Sequence, residues 1–385
     1  MKKVLFVNDE MTMGGVSRIL NTLLAHLENK DYEIDLLVLN PHGEMMDEIP
    51  EYVNVLSSTE FFKIVDKSLD DLIQQKNITG ILKKLYFIFL MKTGWIRYKV
   101  LHERKKILNK KYDIEFSAKE GFCTVFTAFG DSKKKYNWVQ VDYKEHNYSK
   151  NYMPLVKKAL KFIDLNLACS RQVCESYKEV FDIEHVEVLH NLMDCDRIRE
   201  LSNVKQDSVF TKDGVKLIAV ARFHPQKALD RLIRAVSFAK KHGEKLQLVL
   251  IGGGQLEAEL KNLSSALGCD DMITFMGYSS NPYPAIKEAD CFVLSSLYEG
   301  YPTIVLESFL SMTPVLACDV AGVAEQIKEP YQGWIIENSQ EALNDAVLML
   351  CSRKELLSQY KLQLGQYQSE NEQILQRMEE LFNEK

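Results

Sequence analysis

Two glutamates, Glu299 and Glu307, stand eight residues apart in the stretch SSLYEGYPTIVLE, with a glycine and a proline between them. A carboxylate accepts two hydrogen bonds at once, so each could read a vicinal diol. Upstream, VARFHPQKALDRL carries Arg222 and Lys227, and LIGGGQLEAEL carries Gly252, Gly253 and Gly254. Two cations with backbone N–H groups at helix starts make an anion site suited to a diphosphate. Each piece alone is weak: Arg-x4-Lys is mostly solvated surface, and three glycines can be a simple turn. Their joint appearance at the carboxyl ends of apolar strands points to one ligand site. Hydrolysis, with acid and nucleophile flanking a glycosidic bond, is a rival use of paired carboxylates. That chemistry needs no phosphate cradle, so Arg222 and Lys227 count against it.

The elements that must hold these residues follow from the apolar pattern. Cys291–Leu294, bounded by Asp290 and Ser295, reads as a buried strand. Gly300 permits a sharp turn, and Pro302 suits the first turn of a helix continuing through TIVLESFLSM. Glu299 then lies on the loop and Glu307 about one turn into the helix, beyond the carboxyl end of the strand, where open α/β sheets bind ligands. Strands are predicted at 215–221, 245–251, 272–277, 290–296 and 313–318, with helices at 228–242, 255–267, 282–289 and 303–312. The first half opens with a strand at 3–8, a loop ending in Gly14-Gly15, a helix over 16–27 and a strand at 33–39. Continuous apolar strands alternating with helices predict an α/β fold of two Rossmann-like parallel-sheet domains facing each other across a cleft. The expected limits are 1–190 for the amino-terminal domain, 191–214 for a polar link and 215–362 for the second domain. Residues 363–385 are expected to be a helix packing back on the first.

At 385 residues the chain has room for two or three cores. Its 46% hydrophobic and 26% charged residues are ordinary for a globular protein. A net charge of −6 gives no nucleic-acid signature, and no nucleic-acid partner is expected. The eight cysteines lack paired metal spacing, and several lie in apolar strands, which suits reduced thiols in the cytoplasm. No secretory leader is expected, because the apolar run after Met1-Lys2-Lys3 stops at Asn8.

The stretches ARFHPQK, IGGGQLEAEL, FMGY and above all EGYPTIVLE resemble the retaining, nucleotide-sugar-dependent glycosyltransferases of family 4, which have the two-Rossmann GT-B fold. NDEMTMGGVSRIL is similar to their amino-terminal glycine loop. The resemblance covers the second half well, and the first half at its start and near 112–190. It implies that Arg222 and Lys227 hold the donor diphosphate, that Glu299 binds hydroxyls of the transferred sugar, and that Glu307 binds the ribose. Thr303 and Ile304 would offer N–H groups to phosphate and sugar. Met276 and Gly277 would lie near the base, and Gly15 would line the phosphates from the opposite domain; Gly252, from its own place in the glycine turn, is expected to add a backbone N–H to the anion site. The donor would be a substrate, and the same resemblance implies a UDP-linked one. No cofactor and no metal are expected, since Arg222 and Lys227 can neutralise the leaving diphosphate. The triplet Asp194-Cys195-Asp196 resembles the metal-binding Asp-x-Asp of the other glycosyltransferase fold, but it sits where family-4 chains carry an Asn-x-x-Asp turn, here Asn191 to Asp194.

One departure stands out. Related capsule and wall-polysaccharide enzymes usually have a histidine in a Trp-[Ile/Val]-His-x-Asp stretch; this chain has Trp138-Val139-Gln140-Val141-Asp142. The resemblance puts that position in the cleft by the transferred sugar. Gln140 can donate a hydrogen bond there but cannot carry a proton. His146 is near in sequence and reads as a surface-loop residue. An active enzyme with a neutral amide is the preferred expectation.

The expected function is hexosyl transfer from a nucleoside diphosphate sugar to a growing glycan, on a polyprenyl-linked or oligosaccharide acceptor. The site of action would be the cytoplasmic face of the membrane, with the protein peripheral. A catalytically inactive partner subunit, a sugar-nucleotide epimerase and a soluble polymer synthase remain open alternatives. Residues 76–111 carry eleven Lys or Arg and one acid, Glu103, a local charge of +11 − 1 = +10. Ile81, Leu82, Leu85, Phe89, Trp95 and Ile96 interleave with the cations, which suits an interfacial helix on an anionic membrane surface. The same pattern also fits a helical pair packed on its domain.

Overall fold

A computed structural model of the protein describes residues 1–28, 30–65, 67–144 and 153–384. The chain folds into two compact units: Met1–Leu192 with Ile374–Lys385, and Met193–Gln373.

Among the described residues of the first unit, seven parallel strands form one sheet: β1 (Lys2–Asn8), β2 (Tyr32–Val38), β3 (Asn54–Leu56), β4 (Ile114–Ser117), β5 (Lys134–Val139), β6 (Leu165–Ala168) and β7 (Val186–Val188). Their order is β3-β2-β1-β4-β5-β6-β7. The chain runs outward from β1 in one direction and then restarts at β4 in the other, so the order reverses between β1 and β4. Val4, Phe6, Ile34, Leu36, Phe116 and Trp138 build the core under the helix Gly15–Leu27. The last helix, Asn371–Asn383, adds Ile374, Met378, Leu381 and Phe382 to that core. Phe382 meets Phe6 and Phe116 ring to ring at 6.1 and 6.2 Å, and Tyr136 Oη donates to Leu381 O at 2.9 Å.

The second unit repeats the plan. Strands β8 (Val215–Val220), β9 (Leu246–Ile251), β10 (Ile273–Gly277), β11 (Cys291–Leu294), β12 (Val315–Cys318) and β13 (Gly333–Ile336) are parallel in the order β10-β9-β8-β11-β12-β13. This reversal lies between β8 and β11. Strand β13 has no counterpart in the sequence reading, because Gly333 and Trp334-Ile335-Ile336 give too short an apolar run to stand out from the helices around it. The stretch 191–214, read as an irregular link, holds a helix over Cys195–Ser202. Asp194 caps it by accepting from Arg197 N at 3.2 Å, which gives that carboxylate a structural task.

Lys361 is half-buried, its Nζ donating to Lys287 O at 2.7 Å and to Ala289 O. Burial pushes its pKa down to about 8, against the pull of Asp290. A lysine whose folded pKa lies below its unfolded value destabilises the fold while it is charged. The contribution of Lys361 to stability should therefore rise as the pH climbs from about 8 to about 10.5, by about 3 kcal/mol. Denaturant unfolding of wild type and Lys361→Met across that range checks this: the stability of the wild type relative to the variant should rise with pH.

Residues 76–111 fold as two helices, Ile78–Thr93 and Ile96–Ile107. Ile96 is fully buried and Ile81 half-buried, so these two pack on the domain instead of joining the outward group. Leu82, Leu85, Phe89 and Trp95 remain exposed. Several of the cations also turn inward: Lys84 donates to Val65 O at 2.8 Å, Arg104 makes a bidentate pair with buried Glu115 at 2.8 and 2.9 Å, and Lys110 pairs with Asp35 at 3.0 Å. No helix among the described residues is long and apolar enough to cross a membrane.

Candidate functional site

The loops leaving β8 and β11 flank the reversal point of the second sheet, where an α/β fold leaves a crevice. Lys227, on the first loop, donates from Nζ to Glu299 Oε1 on the second at 2.5 Å. Both side chains are largely buried, at 20% and 9% exposure, so the pair keeps its geometry better than a surface ion pair would. The loops are joined by further bonds. Gln226 Nε2 donates to Tyr298 O at 2.9 Å, Leu297 N donates to Gln226 O at 2.8 Å, and Ser295 Oγ donates to Lys227 O at 2.9 Å. Asn338 holds the same strand exit, donating to Leu297 O at 3.0 Å while Arg231 donates to its Oδ1 at 2.6 Å. Ala228 takes a left-handed conformation, φ 44°, to turn the chain from Lys227 into the helix Leu229–Lys241. Arg222 projects from the start of the loop and is exposed.

Glu307 lies in the helix Thr303–Leu310 and accepts from Thr303 Oγ1 at 3.1 Å. Pro302 stands one residue before this helix, not in its first turn, and as a proline it offers no side-chain cap. Nothing at Pro302 therefore competes for the N–H groups of Thr303 and Ile304 at the positive end of the helix. The turn ahead of it is held close by Gly322, whose φ is +83° and where a Cβ would come within 2.8 Å of Gly300 O. The structure thus gathers Arg222, Lys227, Glu299, Thr303, Ile304 and Glu307 on two neighbouring loops and one helix start.

Gly252 departs from its expected role. Its N–H donates to Gly277 O at 2.8 Å, so it is not offered to a phosphate. A Cβ at Gly252 would fall 1.9 Å from Ala221 O, so the glycine is there for a close crossing of two loops. The next helix begins only at Glu257, so the three glycines do not form its first turn. Gly277 ends β10 at a bulge, φ +75°, and Met276 beside it is exposed.

In the first unit, Gly15 opens the helix Gly15–Leu27 and is exposed. Gln140 follows β5 and is buried; its N–H donates to Glu120 Oε2 at 2.8 Å, and its Nε2 has no partner among the described residues. Asp142 is structural, accepting from Ser176 Oγ at 2.5 Å and Lys144 N at 2.9 Å. His146 lies outside the described residues. The sequence reading missed Lys119 and Asp9, which pair at 2.5 Å across the reversal point of the first sheet. Burial works to lower the Lys119 pKa, but Asp9 and Glu120 outweigh it and hold the ammonium above its usual range. Each sheet thus carries a lysine–carboxylate pair bridging the loops of the strands at its reversal. The available signal was position: Asp9 follows β1 and Lys119-Glu120 follow the short apolar run 114–117.

Two parallel sheets of this order are the GT-B plan, and solved structures agree. The HepE protein of Anabaena in complex with UDP superposes with a TM-score of 0.72 over 99% of both chains at 16% identity. The TarM protein of Staphylococcus aureus gives 0.71 over the whole of both chains at 14% identity. Residues 202–363 match the family model described as "Glycosyl transferases group 1". That stretch is therefore similar to the group 1 glycosyltransferases. Its sequence is 27% identical over 208 residues to an uncharacterized glycosyltransferase of Methanocaldococcus jannaschii, spanning 50% of this chain and about half, 51%, of that relative. It is 25% identical over 337 residues, 85% of this chain and 84% of the other, to a 4-alpha-N-acetylgalactosaminyltransferase of Campylobacter jejuni that acts on a diphospho-undecaprenol-linked disaccharide.

Proposed function

We propose that the protein is a retaining hexosyltransferase that moves a sugar from a UDP-linked donor to a lipid-linked or growing surface-polysaccharide acceptor, working peripherally at the inner face of the cell membrane. The observation that carries this reading is the Lys227–Glu299 pair across the reversal point: a cation for a diphosphate directly beside a carboxylate for a sugar. In the donor complex Lys227 turns toward the β-phosphate together with Arg222, and Glu299 accepts from hydroxyls of the sugar. Glu307 accepts from the ribose diol, and the Thr303 and Ile304 N–H groups face the phosphates. Met276 and Gly277 border the base. The reaction breaks the bond between the anomeric carbon and the β-phosphate oxygen and forms one from that carbon to the acceptor oxygen. The acceptor proton passes to the departing phosphate oxygen on the same face, which keeps the anomeric configuration. Developing charge on the phosphate is met by Arg222 and Lys227 in place of a metal.

The C. jejuni relative supports a polyprenyl diphosphate-linked acceptor, and the UDP held by the Anabaena structure supports the donor. A screen of UDP-, GDP- and ADP-sugars for nucleotide release tests the reading: slow hydrolysis of a UDP-sugar is expected. Gln140 supports a second reading, a subunit that binds donor without turnover, because its amide cannot shuttle a proton. Gln140→His separates the two. Activity retained or raised over a working wild type is the expected result, whereas UDP binding without any turnover by the wild type would favour the second reading.

A further inference from the structure

On the helix Ile78–Thr93, Gly80, Lys84, Phe87 and Leu90 face the domain. The opposite side, which an ordinary surface helix leaves polar, presents Ile78, Leu82, Leu85, Tyr86 and Phe89. At 100° per residue these five fall within an arc of about 100°. Trp95 and Tyr98 continue the exposed group, their rings 6.4 Å apart, and the seven side chains are 48% to 72% exposed. Scattered exposed apolar residues are normal, but a continuous stripe of this size marks an interaction surface. Its surroundings are basic. Lys92 falls at the edge of the same arc, and exposed Lys76, two residues before Ile78, and Lys105, two turns on from Tyr98, have no acidic partner among the described residues.

We propose that the stripe Ile78, Leu82, Leu85, Tyr86, Phe89, Trp95 and Tyr98 is the face by which this protein docks on an anionic lipid bilayer, the apolar side chains entering the headgroup boundary and the flanking lysines meeting lipid charge. An apolar stripe with aromatic ends and a basic rim on a helix too short and too charged to span is the pattern of an element that lies in the interface. The charge selects among occupants. A second copy seated on this face would oppose its lysines to its own, because such a contact is isologous. An anionic surface complements them. The inference deepens the proposed function, since a lipid-linked acceptor places the enzyme at that surface.

The test is co-sedimentation of the full chain with vesicles of phosphatidylcholine, with and without phosphatidylglycerol, at low and high salt. Size-exclusion chromatography and UDP calorimetry on the same samples complete it. Binding to the anionic vesicles is expected, weakened at least tenfold by omitting phosphatidylglycerol and reduced by salt. The variant Leu82→Glu/Phe89→Glu/Trp95→Glu, changed only at exposed positions, should lose that binding at least tenfold and keep its UDP affinity. No binding by the wild type, binding indifferent to lipid charge, equal binding by the variant, or a dimer that the variant dissolves would each overturn the proposal. Loss of UDP binding by the wild type would instead count against the nucleotide-sugar reading, leaving the vesicle result to stand alone.

Discussion

Lys227→Ala and Arg222→Ala should each slow sugar transfer by a factor of about 10²–10³, the usual cost of removing one preorganised group facing developing charge. The two variants should differ in a second respect. Lys227 is held against Glu299 at 2.5 Å, so its loss leaves a mostly buried carboxylate without its cation. Removing one partner of a buried pair destabilises, so Lys227→Ala should lower the melting temperature while exposed Arg222→Ala should not. Initial rates with a UDP-sugar, compared with thermal unfolding, read both effects. Near-wild-type rates in either variant would contradict the phosphate cradle.

The second large effect concerns Glu299. Glu299→Ala should depress transfer severely while leaving affinity for UDP itself unchanged or slightly higher. The carboxylate addresses the sugar, which UDP lacks, and removing it frees Lys227 for the diphosphate. Calorimetry with UDP and rates with the sugar nucleotide separate binding from turnover. A parallel loss in both would show that Glu299 holds the nucleotide, not the sugar.

The sheet architecture was readable from sequence because parallel strands buried on both faces give continuous apolar runs such as KLQLVLI and CFVL. The places of Arg222, Lys227 and Glu299 on two loops, and of Glu307 in the helix that follows, were readable because the local signals there are strong. Other features depended on contacts between distant segments. Gly252 looked like a phosphate glycine, yet its N–H is taken up by Gly277, a pairing that no local pattern reveals. The Asp9–Lys119 pair joins residues 110 apart, brought together only by the β1–β4 register. Ile96 and Leu82 look alike in a basic, apolar-rich segment, and only the packed structure tells which one faces inward.

The central claim is that the helix start at Thr303 and the carboxylate of Glu307 form a nucleotide site. Titrating UDP into the wild type and into Glu307→Ala by calorimetry tests it most directly. Hydrogen bonds to a charged group are worth about 1.5–3 kcal/mol, so the wild type should bind one UDP per chain and the variant about 10- to 150-fold more weakly. Absence of UDP binding by the wild type, or equal affinity in the two proteins, would contradict it.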